Sequence, residues 1–231
     1  MKIENTKITS FFALSDAVSL MNMLSGFISI ILSINGYFTL ASIAMMFALM
    51  FDSVDGWVAR KINRNDQYGF GKNIDSLSDV VSFGLAPAIL LYSVSKTITN
   101  SPEILVIIVC AIMIACGVLR LTRYNAIREH IDFKGFIGFP IPGISIILVS
   151  YYLSGLFNIY IALILMFITS LFMISNFKYK KVDNYALIGI GAILIIILIL
   201  QIPIFIYNIN IPALFLLIIC LYCLISCFFR N

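Results

Sequence analysis

Long apolar runs separated by short polar turns fill this chain from end to end. A helix that crosses a membrane needs about 20 consecutive apolar residues. By that measure the pattern predicts eight helices, near residues 17–35, 38–62, 73–95, 102–126, 140–156, 158–176, 185–206 and 211–229. The separators are rich in turn formers: Asn35-Gly36, Arg64 to Tyr68, Ser101-Pro102, Phe139-Pro140, Gly155 to Asn158, Lys178 to Asp183, and Asn208 to Pro212. Pro140 and Pro142 fall at the entry of the fifth helix, where the first turn has no backbone donor to lose. The expected fold class is all-α, a polytopic integral membrane protein.

Composition agrees with that pattern. Of the 231 residues 61% are hydrophobic and 11% charged, against roughly 25% charged in an ordinary soluble domain. Nearly every residue is therefore expected in a span or a short loop. The first apolar run lacks the short length and small-residue cleavage site of a secretory signal.

Cytoplasmic loops of membrane proteins carry the excess of lysine and arginine. With eight spans, fourteen of the fifteen basic residues fall on one face: Lys2, Lys7, Arg60, Lys61, Arg64, Lys72, Arg120, Arg123, Arg128, Lys134, Lys178, Lys180, Lys181 and Arg230, leaving Lys96 alone on the other. Both termini are then expected in the cytoplasm. The net charge of +4 follows from this asymmetry and suits anionic lipid surfaces, so it gives no reason to expect nucleic acid. The five cysteines, Cys110, Cys116, Cys220, Cys223 and Cys227, all lie in expected spans, where a thiol behaves as a small apolar group. Cys220, Cys223 and Cys227 share a helix face, but no histidine or further cysteine lies near in sequence to complete a tetrahedral site.

Four aspartates break the apolar pattern: Asp52 and Asp55 in FDSVDGWVAR, then Asp75 and Asp79 in GFGKNIDSLSDVVSFG. A carboxylate inside a membrane costs several kcal/mol unless a cation, water or a partner accompanies it. On a helix, Asp52, Asp55, Gly56 and Ala59 share one face, and Asp75 and Asp79 share a face of the next helix. Two antiparallel helices can thus converge their carboxylates on hard divalent cations, and a pair of cations can hold a phosphate between them. Gly56 and Ala59 remove bulk where a ligand must reach the backbone, Gly71 does the same before the second pair, and Arg60 adds a planar donor fork suited to phosphate. This combination describes a nucleotide diphosphate bound with metal.

The pattern Asp52-x-x-Asp55-Gly56-x-x-Ala59-Arg60, followed by Gly71-x-x-x-Asp75-x-x-x-Asp79, resembles the signature of the CDP-alcohol phosphatidyltransferases. Ten residues separate Arg60 from Gly71, about two more than expected, and they fall in a polar turn that tolerates insertion. The resemblance implies that Asp52, Asp55 and Asp75 bind divalent metal, Mg²⁺ or Mn²⁺ and two ions in number. It also implies that Asp79 is the general base and shares a metal, and that Gly56, Ala59, Arg60 and Gly71 receive the CDP part of the lipid. A serine-type hydroxyl is barely acidic, so a carboxylate within reach must take its proton.

Further stretches resemble the serine-using branch of that family, the phosphatidylserine synthases: DSLSDVVSFGLAPA from Asp75, GVLRLTRYN from Gly117, FIGFPIPG from Phe136, LFMISNFKYKK from Leu171, and Asn22 and Gly26 in LMNMLSGF. The likeness covers most of residues 17–181 and fades beyond. It divides the chain into residues 1–181, a six-helix core with an N-terminal interfacial segment, and residues 182–231, an additional helix pair. It also implies a CDP-activated lipid and L-serine as substrates, membrane lipids as surroundings and a homodimer, while the charge asymmetry puts the four aspartates, and with them the active site, on the cytoplasmic side of the cell membrane.

Arg120 and Arg123, one turn apart, either bind the carboxylate that marks serine or anchor the helix end at the cytoplasmic interface. Asn125 and Lys134 can add contacts to serine or phosphate, or simply meet water. His130 lies between Glu129 and Asp132 in a loop and reads as a solvated residue. Trp57, Tyr68 and Tyr124 fit the interface, and one of them can stack on cytosine. Gly189 and Gly191 suit close helix packing, within the chain or in a dimer.

Two other readings stand beside this one. The same chemistry can serve another acceptor, glycerol 3-phosphate or inositol phosphate. A cation transporter using intramembrane aspartates has no need of Arg60 among them, nor of glycines at these offsets, and the chain has no obvious inverted repeat with broken helices.

Overall fold

The computed structural model describes residues 7–62, 66, 68–127, 135–180 and 185–229. A single 3₁₀ turn, Ile8–Ser10, leads into α1, Leu14–Ile34, and a tight turn at Gly36 into α2, Phe38–Lys61. The third long helix is continuous over Phe70–Lys96. It consists of α3, Phe70–Asp79, a π-helical stretch, Val80–Leu85, and α4, Ala86–Lys96. α5 covers Glu103–Ile127. These four helices have the length and apolar character to cross a membrane, as expected from the pattern.

The second half is built from shorter pieces. β1, Gly135–Ile137, precedes α6, Ile141–Leu153, and α7, Ile159–Ile174, precedes β2, Lys178–Lys180. Then come α8, Tyr185–Ile199, a hairpin of β3, Phe205–Ile206, with β4, Ile209–Asn210, and α9, Ile211–Phe229. Helices thus stand at all eight expected places, although several are shorter than the pattern suggested. α8 ends at Ile199 rather than near 206, because Gln201 takes a left-handed backbone conformation (φ 51°) and Pro203 cannot continue the helix. At 13 residues and 1.5 Å of rise each, α6 is about 20 Å long.

The strands were not expected. Gly135, Phe136 and Ile137 pair antiparallel with Lys180, Tyr179 and Lys178, and this clip ties the entrance of α6 to the exit of α7. Part of the segment read as a turn, Lys178 to Asp183, is therefore strand. Tyr179 packs edge-on against Phe139 and donates its hydroxyl to the Leu224 carbonyl of α9 (3.1 Å), so the last helix meets the clip.

α1 explains why the first three long helices sit so close. Its buried residues are Ser15, Ser19, Asn22, Gly26, Ser29 and Ser33, a stripe at alternating spacings of four and three, with Asp16 and Ser25 beside them, and every member is small or polar. Its large apolar side chains, such as Leu24, Phe27, Ile28 and Ile31, point outward. With no water to expel between helices in lipid, small residues and interhelical hydrogen bonds do the packing. Ser29 donates to the Ala41 carbonyl of α2 (2.8 Å). At Gly26 a Cβ would stand 2.6 Å from Ser82 Cα, so only glycine allows α1 and the π-helical stretch to touch.

The apolar core lies deeper, among Met45, Phe83, Leu90, Met113, Ile144, Ile147 and Met166. Ser145 donates to the Phe83 carbonyl (3.3 Å), the group to which Pro87, one turn later, has no N–H to offer. α9 packs on α6, and α8 on α2 and α9. At Gly189 and Gly191 an added Cβ would meet nothing within 4 Å, so neither serves a close approach inside the described chain. Cys110, Cys116, Cys220 and Cys223 are free thiols. The side chain of Cys227 lies outside the described residues, as do Arg64, Arg128, Glu129, His130, Asp132, Lys134, Lys181 and Arg230.

Candidate active site

The aspartates that are far apart in sequence meet where α2 and α3 run antiparallel. One carboxylate oxygen from each of Asp52, Asp55 and Asp75 lies within 4.8 Å of the others. Asp79, one helical turn beyond Asp75, stands against Asp52 within hydrogen-bonding reach. Three convergent carboxylates are the donor set a hard divalent cation takes. The acid cluster therefore fits a metal, and Asp79 stands beside that converging set rather than in it.

A layer of α1 side chains holds these acids in place. Ser19 donates to Asp55 Oδ2 (2.5 Å), and Asn22 Nδ2 donates to Asp79 Oδ1 (3.2 Å). Asp16 accepts from the Ala13 backbone N–H (2.9 Å) and caps the start of α1. Sequence reasoning assigned no role to Ser15, Asp16 or Ser19. Their signal was the three-and-four spacing of small polar residues, a period that marks one helix face.

A cleft of about 600 Å³ opens beside the cluster, lined by Asp55, Gly56, Ala59, Arg60, Gly71 and Asp75 together with Ser15, Asp16, Ser19, Asp66, Lys72 and Tyr124. All four residues expected to receive the CDP part, Gly56, Ala59, Arg60 and Gly71, thus share one wall system with two of the acids. A Cβ on Gly56 would touch only the Arg60 side chain, at 3.5 Å, so that position faces open space. Asp66 was read only as part of a polar turn. It accepts hydrogen bonds from the Gly71 (3.2 Å) and Lys72 (3.0 Å) backbone N–H groups, fixing the first turn of α3 in front of the acids.

α5 supplies the far side. Arg120 is only 5% exposed, and its guanidinium lies over the rings of Tyr124 (5.4 Å) and Phe136 (5.7 Å). It is close enough to Asp79 and Asp52 to feel their charge, and its Nε has no hydrogen-bond partner among the described residues. Asn125 donates to Ser76 Oγ (2.7 Å), and its carbonyl accepts from Lys72 Nζ (2.7 Å), tying α5 to α3.

Arg123 does something else. Its guanidinium donates to the carbonyls of Met173 (3.0 Å), Ile174 (2.9 Å) and Ser175 (2.9 Å) at the end of α7 and to that of Ile137 (2.9 Å) in β1. It supplies donors to carbonyls that a helix end leaves without intrahelical partners. A Cβ at Gly138 (φ 80°) would stand 2.1 Å from the Met173 carbonyl oxygen and 2.5 Å from Arg123 Nη2, so glycine is needed for that approach. Of the three aromatics considered for cytosine stacking, Tyr124 lines the cleft. Trp57 is exposed beneath Lys61, and Tyr68 packs on Phe11.

Comparison with known proteins agrees with this geometry. The model of the CDP-alcohol phosphatidyltransferase family matches residues 12–175, and the chain belongs to that family. It is 45% identical to the archaetidylserine synthase of Methanothermobacter thermautotrophicus over 82% of this chain and 77% of that protein. It is 38% identical to the CDP-diacylglycerol–serine O-phosphatidyltransferase of Methanocaldococcus jannaschii over 85% of this chain and 88% of that one. The protein of the same name from Bacillus subtilis is 36% identical over 48% of this chain and 60% of its own length. This is a membrane-embedded transferase of phospholipid synthesis.

Proposed function

We propose that the protein transfers the lipid phosphate group of a CDP-activated lipid to the hydroxyl of L-serine and releases CMP. The observation that carries this reading is the convergence of Asp52, Asp55, Asp75 and Asp79 beside a cleft walled by Gly56, Ala59, Arg60 and Gly71. Serine as the acceptor is supported by the names of the relatives and by a buried arginine with donor capacity next to the acids.

In this reading Asp52, Asp55 and Asp75 hold two divalent cations, Mg²⁺ or Mn²⁺, with Asp79 sharing one. When bound, the cations neutralise the diphosphate and the charge that develops on departing CMP. Arg60 grips the diphosphate, while Gly56, Ala59 and Gly71 let the nucleotide approach the backbone. Arg120 receives the serine carboxylate, and Asn125 shapes the same wall. Asp79 takes the hydroxyl proton as the serine oxygen bonds to the lipid-side phosphorus. The bond from that phosphorus to the bridging oxygen breaks, and its electron pair leaves on CMP. Arg123 is the weaker carboxylate ligand, because its donors already serve four carbonyls.

The same reading has eight spans, with residues 1–181 as the catalytic core and 182–231 as an added pair, both termini in the cytoplasm and the site on the cytoplasmic side of the cell membrane. It is supported by the placement of fourteen basic residues against one, and by Lys96, which pairs with Glu103 at the end of the Phe70–Lys96 helix remote from the acids. A homodimer is part of the proposal through the family resemblance alone.

Offering serine, glycerol 3-phosphate and inositol phosphate to the purified protein tests the acceptor. Serine is expected to be used, and Arg120→Ala should raise the serine KM by about 10- to 100-fold, the worth of a charge-assisted hydrogen bond of about 1.5–3 kcal/mol. Arg123→Ala should leave that KM within about twofold and lower thermal stability instead, because it strips the α7 carbonyls of their donor. Use of glycerol 3-phosphate alone would refute the acceptor assignment.

A further inference from the structure

Asn22 lies at the centre of the α1 stripe, fully buried, and its side chain is spent in an unusual way. Its amide N–H donates to Asp79 Oδ1 (3.2 Å), while its amide oxygen has no hydrogen-bond partner among the described residues. A buried acceptor without a donor is destabilising, and an apolar side chain of similar size avoids that cost. An apolar side chain would, however, leave the buried Asp79 carboxylate without this donor, so the asparagine is accounted for by its bond to Asp79 rather than by packing.

Its surroundings hold it still. Ser82, three residues after Asp79, donates to the Asn22 backbone carbonyl (2.9 Å), so one helix is tied to the other above and below the amide. Gly26, one turn further along α1, has no side chain and lets the two backbones come close enough for both bonds. The π-helical stretch begins at the residue after Asp79 and contains Ser82. Such bulges re-aim side chains and cluster at functional sites.

We infer that Asn22 is a positioning residue for the transfer reaction: its amide N–H fixes one oxygen of Asp79 so that the other is presented to the acceptor hydroxyl. This rests on the reading of Asp79 as the base. The proton passes from the hydroxyl to the other Asp79 oxygen as in the reaction above, and Asn22 neither gains nor loses one. A carboxylate free to rotate reaches the same geometry only part of the time, and small misplacements at a reacting centre cost about 10²-fold in rate.

Asn22→Leu and the smaller Asn22→Ala test the inference. Each is expected to lower kcat by about 10- to 100-fold with the KM for CDP-lipid and serine held within about twofold. Asn22→Leu removes the orphaned amide oxygen but also the donor to Asp79, two opposed effects, so it should melt within a few degrees of the unaltered protein and should keep its CDP-induced rise in melting temperature. In an Asp79→Asn background, Asn22→Leu should add no more than about a twofold loss, as expected when two residues act as a unit. Unchanged kcat, a parallel loss of stability and rise in KM, multiplicative effects in the double variant, or failure of both single variants to fold would each overturn the inference. Full activity of Asp79→Asn alone would instead overturn the base assignment, so the two failures are distinguishable.

Discussion

Asp79→Asn is expected to reduce turnover by about 10²- to 10⁴-fold, the usual contribution of a general base, while leaving the protein folded and able to bind CDP. The substitution preserves shape, and an asparagine oxygen can still accept the N–H that Asn22 directs at this position. CDP binding should survive because the three acids that converge within 4.8 Å are Asp52, Asp55 and Asp75. Single-turnover rates read the chemical step, and a CDP titration followed by melting temperature reads binding. Loss of both together would mean that Asp79 chiefly holds the nucleotide or its cations, and retention of both would remove it from catalysis.

Asp55→Ala should be as damaging through a different step. Asp55 is only 5% exposed, lines the cleft and converges with Asp52 and Asp75. Its removal should abolish the stabilisation that Mg²⁺ or Mn²⁺ with CDP confers on the protein, and activity should fall on the order of 10³-fold, equivalent to several kcal/mol of lost charge stabilisation. Chelator treatment of the unaltered protein should give the same loss, reversed by adding the cation back. Ser19→Ala should weaken metal affinity more mildly, by about 10- to 100-fold, because Ser19 orients Asp55 through one hydrogen bond. A metal requirement that is unchanged in Asp55→Ala would contradict the placement of the cation.

Much of this was legible in the sequence, for identifiable reasons. Helix positions follow from the length of apolar runs, which lipid enforces strictly. The acid cluster follows from the cost of carboxylates in such runs together with their spacing, and the structure converges Asp52, Asp55 and Asp75 and places Asp55 and Asp75 with Gly56, Ala59, Arg60 and Gly71 around one cleft. What escaped depends on partners remote in sequence. β1 and β2 are three-residue strands some forty positions apart, one of them Lys-Tyr-Lys, and no local period announces such a pair. Arg120 and Arg123 are alike in sequence, and only the carbonyls at the end of α7 separate a residue facing the acids from one bracing the fold. Asp66 read as a turn residue because the helix it organises starts four positions later, beyond Gly69 with its left-handed backbone (φ 68°). The π-helical stretch after Asp79 leaves the apolar pattern intact and so gave no sign of itself.

In the proposed reaction these aspartates catalyse direct displacement of CMP from a CDP-lipid by serine. Its most direct test is to give the purified protein CDP-lipid, labelled L-serine and Mg²⁺ or Mn²⁺, and to quantify both products. Labelled serine-containing phospholipid and CMP are expected in equal amounts, in a reaction that depends on cation and is lost in Asp79→Asn. CMP release without incorporation of serine, or incorporation that persists in Asp79→Asn at the full rate, would contradict it.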